Sequence, residues 1–294
     1  MNPATPPAVS GQGWHARLDL AFAARAGVTR LAHNRHEGPL RLIRALPLPQ
    51  GRCQAVIVHP PGGLVGGDRL EIDVALEEDA QVLCTTPGAQ KWYRAHRDGA
   101  CARTRIKVAS GATLEWLPQP TIVYDAAQVD QSLSIDLMGD ARMIGWECMV
   151  MGRAAMKERF LQGMLRQSVE LSVDGRARWH ERTVARASDR VFDSSLGWGG
   201  RTVACTVWAV SSGARPMDGL RDTWRSSLAA ACETPEGVHA RMQGATSLVE
   251  PGLLVARLLA DDAQSVMVAA QGLWAAARPV VIGAPGDPPR IWAT

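Results

Sequence analysis

The sequence predicts a mainly β protein, with a body of short strands and turns over about residues 14–215 and a part carrying two α-helices over about 216–294. Three observations predict it. Apolar and polar residues alternate with period two in Leu70-Glu71-Ile72-Asp73-Val74-Ala75-Leu76 and again in Ser132–Leu137, the mark of half-buried strands. A loose repeat relates Asp79-Ala80-Gln81-Val82-Leu83, Gly111–Trp116 and Asp140–Trp146: a small-residue turn, an alanine, a polar position and an apolar strand, with starts 32 and then 29 residues apart. Composition alone could produce so loose a match; if the repeat is structural, it favours stacked or coiled β-sheets over a simple closed barrel. After residue 215 the alternation gives way to helical spacing.

The elements follow in order. Met1-Asn2-Pro3-Ala4-Thr5-Pro6-Pro7 has neither a basic nor an apolar signal-peptide region, so residues 1–13 are expected to be a disordered start to a cytoplasmic chain, with one domain from 14 to 294. Ala55–Val58 reads as a short apolar strand. Val169–Val173 and Arg176–Trp179 flank Asp174-Gly175, a strong hairpin signal. Gly219–Glu233 reads as a helix, with Leu220, Trp224, Leu228 and Ala231 on one face, stopped by Thr234-Pro235. Leu253–Leu259 is a strand. Asp261-Asp262 supplies an N-cap for a second helix over about 262–277, which Arg278-Pro279 is expected to close. No linker separates the two parts, so the helices are expected to lie on the β body.

Composition narrows the function classes. The 32 basic and 29 acidic residues nearly balance, at net +3, and no basic block is long enough to point to nucleic acid. No stretch approaches the roughly 20 apolar residues of a membrane span. The six cysteines, 53, 84, 101, 148, 205 and 232, form no C-x-x-C pair and read as reduced thiols, most of them buried.

The most heavily specified stretch is His59-Pro60-Pro61-Gly62-Gly63-Leu64-Val65-Gly66-Gly67-Asp68, a turn-rich loop at a strand end. It is no phosphate loop: Asp68-Arg69 stands where a lysine and hydroxyl are needed, and G-x-G-x-x-G is absent. A tight structural loop and a loop lining a polar passage or partner surface both remain open. Hydrolase chemistry finds little support: there is no G-x-S-x-G elbow, no H-E-x-x-H, and His33 and His36 stand in a turn-prone context. Two acids stand out. Glu147 lies inside the apolar run Met143–Met151, where a carboxylate must be paired or face water. Glu181 lies in the strand-like Trp179–Val184 with arginines nearby. For each, a structural ion pair competes with a polar-channel or metal-handling role. A second loop, Thr85–Arg94, mixes a Pro-Gly turn with Lys91, Trp92, Tyr93 and Arg94, types favoured at interfaces but equally at home as a core aromatic pair beside a surface turn.

Taken together, His59–Asp68, Thr85–Arg94, Leu114-Glu115-Trp116-Leu117-Pro118-Gln119-Pro120-Thr121-Ile122-Val123-Tyr124-Asp125 and the terminal Arg290-Ile291-Trp292-Ala293-Thr294 resemble the urease accessory protein D family (UreD, called UreH in some species), over about residues 14–294. Two stretches depart from the family pattern. Tyr124-Asp125-Ala126-Ala127 stands where aromatic-Asp-Gly-Ala is common, and Gly152–Glu158 lacks a Pro after Arg153 and a Gly before Glu158. The resemblance implies a β-helix-like stack of strands with two helices near the C-terminus. It implies a non-enzymatic scaffold that binds urease apoprotein and recruits UreF and the GTPase UreG in a hetero-oligomeric complex delivering nickel. It further implies an internal passage whose acids correspond to Asp68, Glu147 and Glu181, with nickel handled weakly and transiently and no cofactor held tightly. Oxygen ligands suit such transit because a soft Cys/His site would trap the ion. A docking module without metal transit and a standalone β-rich hydrolase are the alternatives.

Overall fold

The computed structural model describes residues 13–95, 98–211, 217–232 and 242–293. The expected disorder over residues 1–13 thus concerns a segment that, up to residue 12, lies outside the described residues, as do Glu233 and Thr234-Pro235 at the expected end of the first helix.

The chain opens with two antiparallel hairpins, β1 (His15–Arg25) with β2 (Val28–Glu37), and β3 (Arg41–Pro47) with β4 (Cys53–Val58). From β4 it winds as a coil. The first turn adds β5 (Gly63–Leu64) and β6 (Arg69–Leu76), the second β7 (Gln81–Thr85), β8 (Gln90–Trp92) and β9 (Ala100–Val108). The third is β10 (Thr113–Leu117), β11 (Thr121–Val123) and β12 (Gln128–Leu137), and the fourth β13 (Arg142–Met151) and β14 (Met164–Val173). Then β15 (Arg176–Arg186) returns antiparallel on β14 and β16 (Val203–Ser211) antiparallel on β13. The helix α1 (Asp218–Cys232), β17 (Gln243–Glu250), β18 (Leu253–Ala260) and α2 (Ala263–Val281) complete the described fold. Seven strands form one sheet in the order β15-β14-β12-β9-β6-β1-β2, and eleven form the other, along β17-β18-β16-β13-β10-β7-β4-β3 with the short β5, β8 and β11 beside it.

The repeat is the coil. Thr113 lies in parallel register with Gln81 and with Arg142, steps of 32 and 29 residues, and Cys101 lies between Arg69 and Asp130 with the same two steps. The repeated small residues are its corners. Ala80, Ala112 and Ala141 are fully buried there. Gly111 has φ +72°, and a Cβ on it would lie 2.1 Å from Asp79 Oδ1 of the corner before. Asp140 Oδ1 accepts from the Gly111 N–H at 2.6 Å and from Ser110 Oγ at 2.8 Å, while Asp174 Oδ1 accepts from the Gly139 N–H at 2.8 Å. Each corner thus closes on the next.

Two cores result. Leu18, Leu20, Ile106, Leu133 and Leu171 fill the space between the sheets. Leu220, Trp224 and Leu228 of α1 and Val266, Leu273 and Trp274 of α2 cover the other face of the eleven-stranded sheet. The helices therefore pack on the β body as expected. Asp262 caps α2, accepting from the N–H groups of Gln264 and Ser265. That helix does not stop at Arg278-Pro279 as predicted; it runs through Pro279 to Val281, because Arg278 is locked by buried contacts that hold the last turn. All six cysteines are free; Cys53, Cys84, Cys148 and Cys205 are buried, Cys101 is intermediate and Cys232 exposed. Burial pushes the Cys53 thiol up to about 11.

Candidate functional site

The His59–Asp68 loop forms the first corner of the coil. Gly62 and Gly67 adopt positive φ, and a Cβ on Gly63 would lie 2.4 Å from the Tyr93 ring. Asp68 closes the loop. It is 5% exposed; Oδ1 accepts from the Trp14 N–H at 2.8 Å and Oδ2 from the Val65 N–H at 2.9 Å. Among the described residues it makes no ion pair, so the carboxylate is satisfied by backbone amides. It also borders a cavity of about 440 Å³ whose wall includes Arg69, Cys101, Arg103, Asp130 and Arg166.

Glu147 and Glu181 come together elsewhere. Glu147 projects from β13 into the space between the sheets and is 8% exposed. Trp116 Nε1 donates to its Oε1 at 3.1 Å and Gln131 Nε2 to its Oε2 at 2.8 Å. Burial outweighs both hydrogen bonds and pushes its carboxyl up to about 7. Glu181 projects from β15 on the opposite sheet, where Thr206 Oγ1 donates to Oε2 at 3.2 Å and Arg257 Nη2 lies 3.1 Å from Oε1. Thr206 is the cross-strand partner of Glu147, so one hydroxyl links the two acids' surroundings. Both carboxylates line a cavity of about 50 Å³, with Gln167, Thr183, Thr206 and Trp198. That space suits one or a few water-sized guests. Among the described residues no group of three or more His, Cys, Asp or Glu side chains is arranged to hold a metal ion.

The 85–94 loop divides. Trp92 is a core residue, 1% exposed, and Tyr93 meets Tyr124 edge-on with ring centroids 5.0 Å apart; Lys91 is partly buried and Arg94 exposed. Of the four interface candidates, Trp92 offers no surface to a partner.

The sequence reading missed a third buried acid. Glu115 receives Trp274 Nε1 at 2.7 Å and Arg278 through Nε at 2.7 Å and Nη2 at 3.0 Å, with Arg52 Nη1 at 3.7 Å. Arg278 also donates to the Pro285 carbonyl. This network fastens the end of α2 to β10. Its one sequence signal is the acid within the apolar Leu114-Glu115-Trp116-Leu117.

The two departures from the family pattern fall where backbone geometry favours glycine. Ala126 has φ +62° and Lys157 φ +56°.

The fold and site define a solenoid-type β protein with two helices on one flank and acids held between its sheets. The chain belongs to the family described as UreD urease accessory protein, whose model matches residues 15–293. It is 40% identical over 296 residues, the whole of both chains, to the urease accessory protein UreD of Pseudomonas fluorescens strain Pf-5. It is 39% identical to the UreD of Dechloromonas aromatica strain RCB, over 96% of this chain and 95% of that one. No helix among the described residues is long and apolar enough to cross a membrane.

Proposed function

We propose that this chain is a non-catalytic scaffold and nickel conduit for urease maturation in the cytoplasm. In this reading it binds urease apoprotein, recruits UreF and the GTPase UreG into a hetero-oligomeric complex, and passes nickel between its sheets without a tightly held cofactor. The observation that carries the reading is the meeting of Glu147 and Glu181, from opposite sheets, on one polar cavity. An interior carboxylate pair of this kind offers hard oxygen ligands that hold nickel weakly enough to release it. Within this reading Asp68 keeps the loop that shapes the first coil, since its oxygens are engaged by backbone amides.

The test is co-purification with urease apoprotein and UreF, followed by urease activation with Glu147→Ala and Glu181→Ala. The expected result is intact complex formation with failure of nickel loading. Variants that fold, bind UreF and support full urease activity assign the acids to structure alone. That outcome leaves a docking module, a reading favoured by one observation, the Arg257–Glu181 ion pair.

A further inference from the structure

Exposure rises along a row of side chains leading out from the cavity. Glu147 is 8% exposed, the Glu181 side chain 25% and the Arg257 side chain 57%. The row ends where β15, the edge of one sheet, faces β17 and β18 of the other. Two ion pairs join the sheets at this end: Arg178 with Glu250, and Arg257 with Glu181. The Arg257 guanidinium also lies over the Trp179 ring, 5.4 Å from its centroid. The surroundings are unusually polar for buried space. Gln131 Oε1, Trp179 Nε1 and Thr246 Oγ1 are all buried without a hydrogen-bond partner.

We infer that Arg257 is a counter-ion gate over the Glu181 end of the interior, resting on the conduit reading above. A guanidinium stays charged at any physiological pH, so Glu181 is freed only when something competes for one of the two partners. A divalent cation approaching Glu181 meets the positive charge already seated there and must displace it. The Trp179 ring already lies beneath the guanidinium, its centroid 5.4 Å from the guanidinium carbon, so an arginine displaced from Glu181 keeps one attractive partner. Arg257 thereby keeps Glu181 from holding cargo: the ion enters only by displacing the arginine, and the returning arginine ejects it.

The experiment titrates the purified full chain with nickel alone by calorimetry and, in parallel, measures carbodiimide–glycine ethyl ester labelling of Glu181 without metal. Arg257→Met keeps an unbranched side chain of similar length and removes the charge; Arg257→Gln serves if the methionine variant does not fold. Removing one charge about 6 Å from a divalent ion in a water-like dielectric is expected to tighten nickel binding about tenfold. Labelling of Glu181 rises several-fold, and Arg257→Met with Glu181→Gln returns nickel affinity to the wild-type value. Unchanged nickel affinity in a folded Arg257 variant overturns the gate, whatever the labelling. Tightened binding in that variant, with Glu147→Gln and Glu181→Gln chains that still activate urease fully, upholds the gate and refutes the conduit.

Discussion

Glu147→Gln isolates the consequence of a carboxyl held between two sheets. In the folded chain this group titrates at about 7, against about 4.3 for an unperturbed glutamate. Because the folded value is raised, the folded state binds the extra proton, and stability falls as pH rises between the two values. At 1.36 kcal/mol per unit, the wild type loses about 2.5 kcal/mol from this one group between about pH 5 and pH 8. Glutamine removes that loss. Its amide keeps one oxygen for Trp116 Nε1, and Gln131 can turn its own amide to present Oε1, which is buried and without a partner. The assay is urea unfolding of both chains at the two pH values. The wild type should lose about 2.5 kcal/mol more than the variant on going to the higher pH. Parallel pH dependence of the two chains would refute the claim that burial outweighs the two hydrogen bonds at Glu147.

Three further outcomes follow from particular contacts. Arg278→Met leaves Glu115 buried with its principal partner gone and should cost about 3–5 kcal/mol in thermal or urea unfolding; Arg278→Met with Glu115→Gln should recover part of that loss. Ala126→Gly and Lys157→Gly relieve left-handed backbone at residues with φ +62° and +56°, and each should raise stability by up to about 1 kcal/mol in the same measurement, once glycine's entropy cost is subtracted. Asp68→Asn turns an amide N–H toward either the Val65 or the Trp14 N–H, which should cost about 1–3 kcal/mol and speed hydrogen exchange at those two amides.

Much of the fold is legible in the sequence because a coil imposes local rules. Strands buried on one side must alternate, as Leu70–Leu76 does. Corners closing on one another need small residues, and that spaced Asp79, Gly111 and Asp140 at the coil period. Contacts between distant segments leave no such trace. Glu115 finds Arg278 163 positions away, and the same contact carries α2 past the proline that local rules read as a stop. Trp92 reads as a loop aromatic because its strand has only three residues, too few to show alternation. The acids at 147 and 181 each stand out alone; that they share a cavity follows from the facing of two sheets.

Register explains where the interior is polar. The row led by Asp68 continues as Ala100, Val129, Leu165 and Ala185, each no more than 4% exposed. Two residues further along the strands, the row is Leu70, Ala102, Gln131, Gln167 and Thr183, apolar in the early coils and polar in the late ones. The next runs Ile72, Thr104, Leu133 and Val169 to Glu181. In the second row, parallel stacking thus puts apolar side chains in the early coils and hydrogen-bonding groups in the late ones, and in the third row the acid comes last. A buried charge costs several kcal/mol unless paired or hydrogen-bonded. The polar part, where Gln131 meets Glu147 and Arg257 meets Glu181, supplies those partners. Asp68 sits in the first coil at the head of an otherwise apolar row, where two backbone amides engage its oxygens. On the proposed conduit reading, the hydrogen-bonding groups that a hydrated ion needs are those around Glu147 and Glu181, whereas the row that follows Asp68 offers only the aliphatic side chains of Ala100, Val129, Leu165 and Ala185.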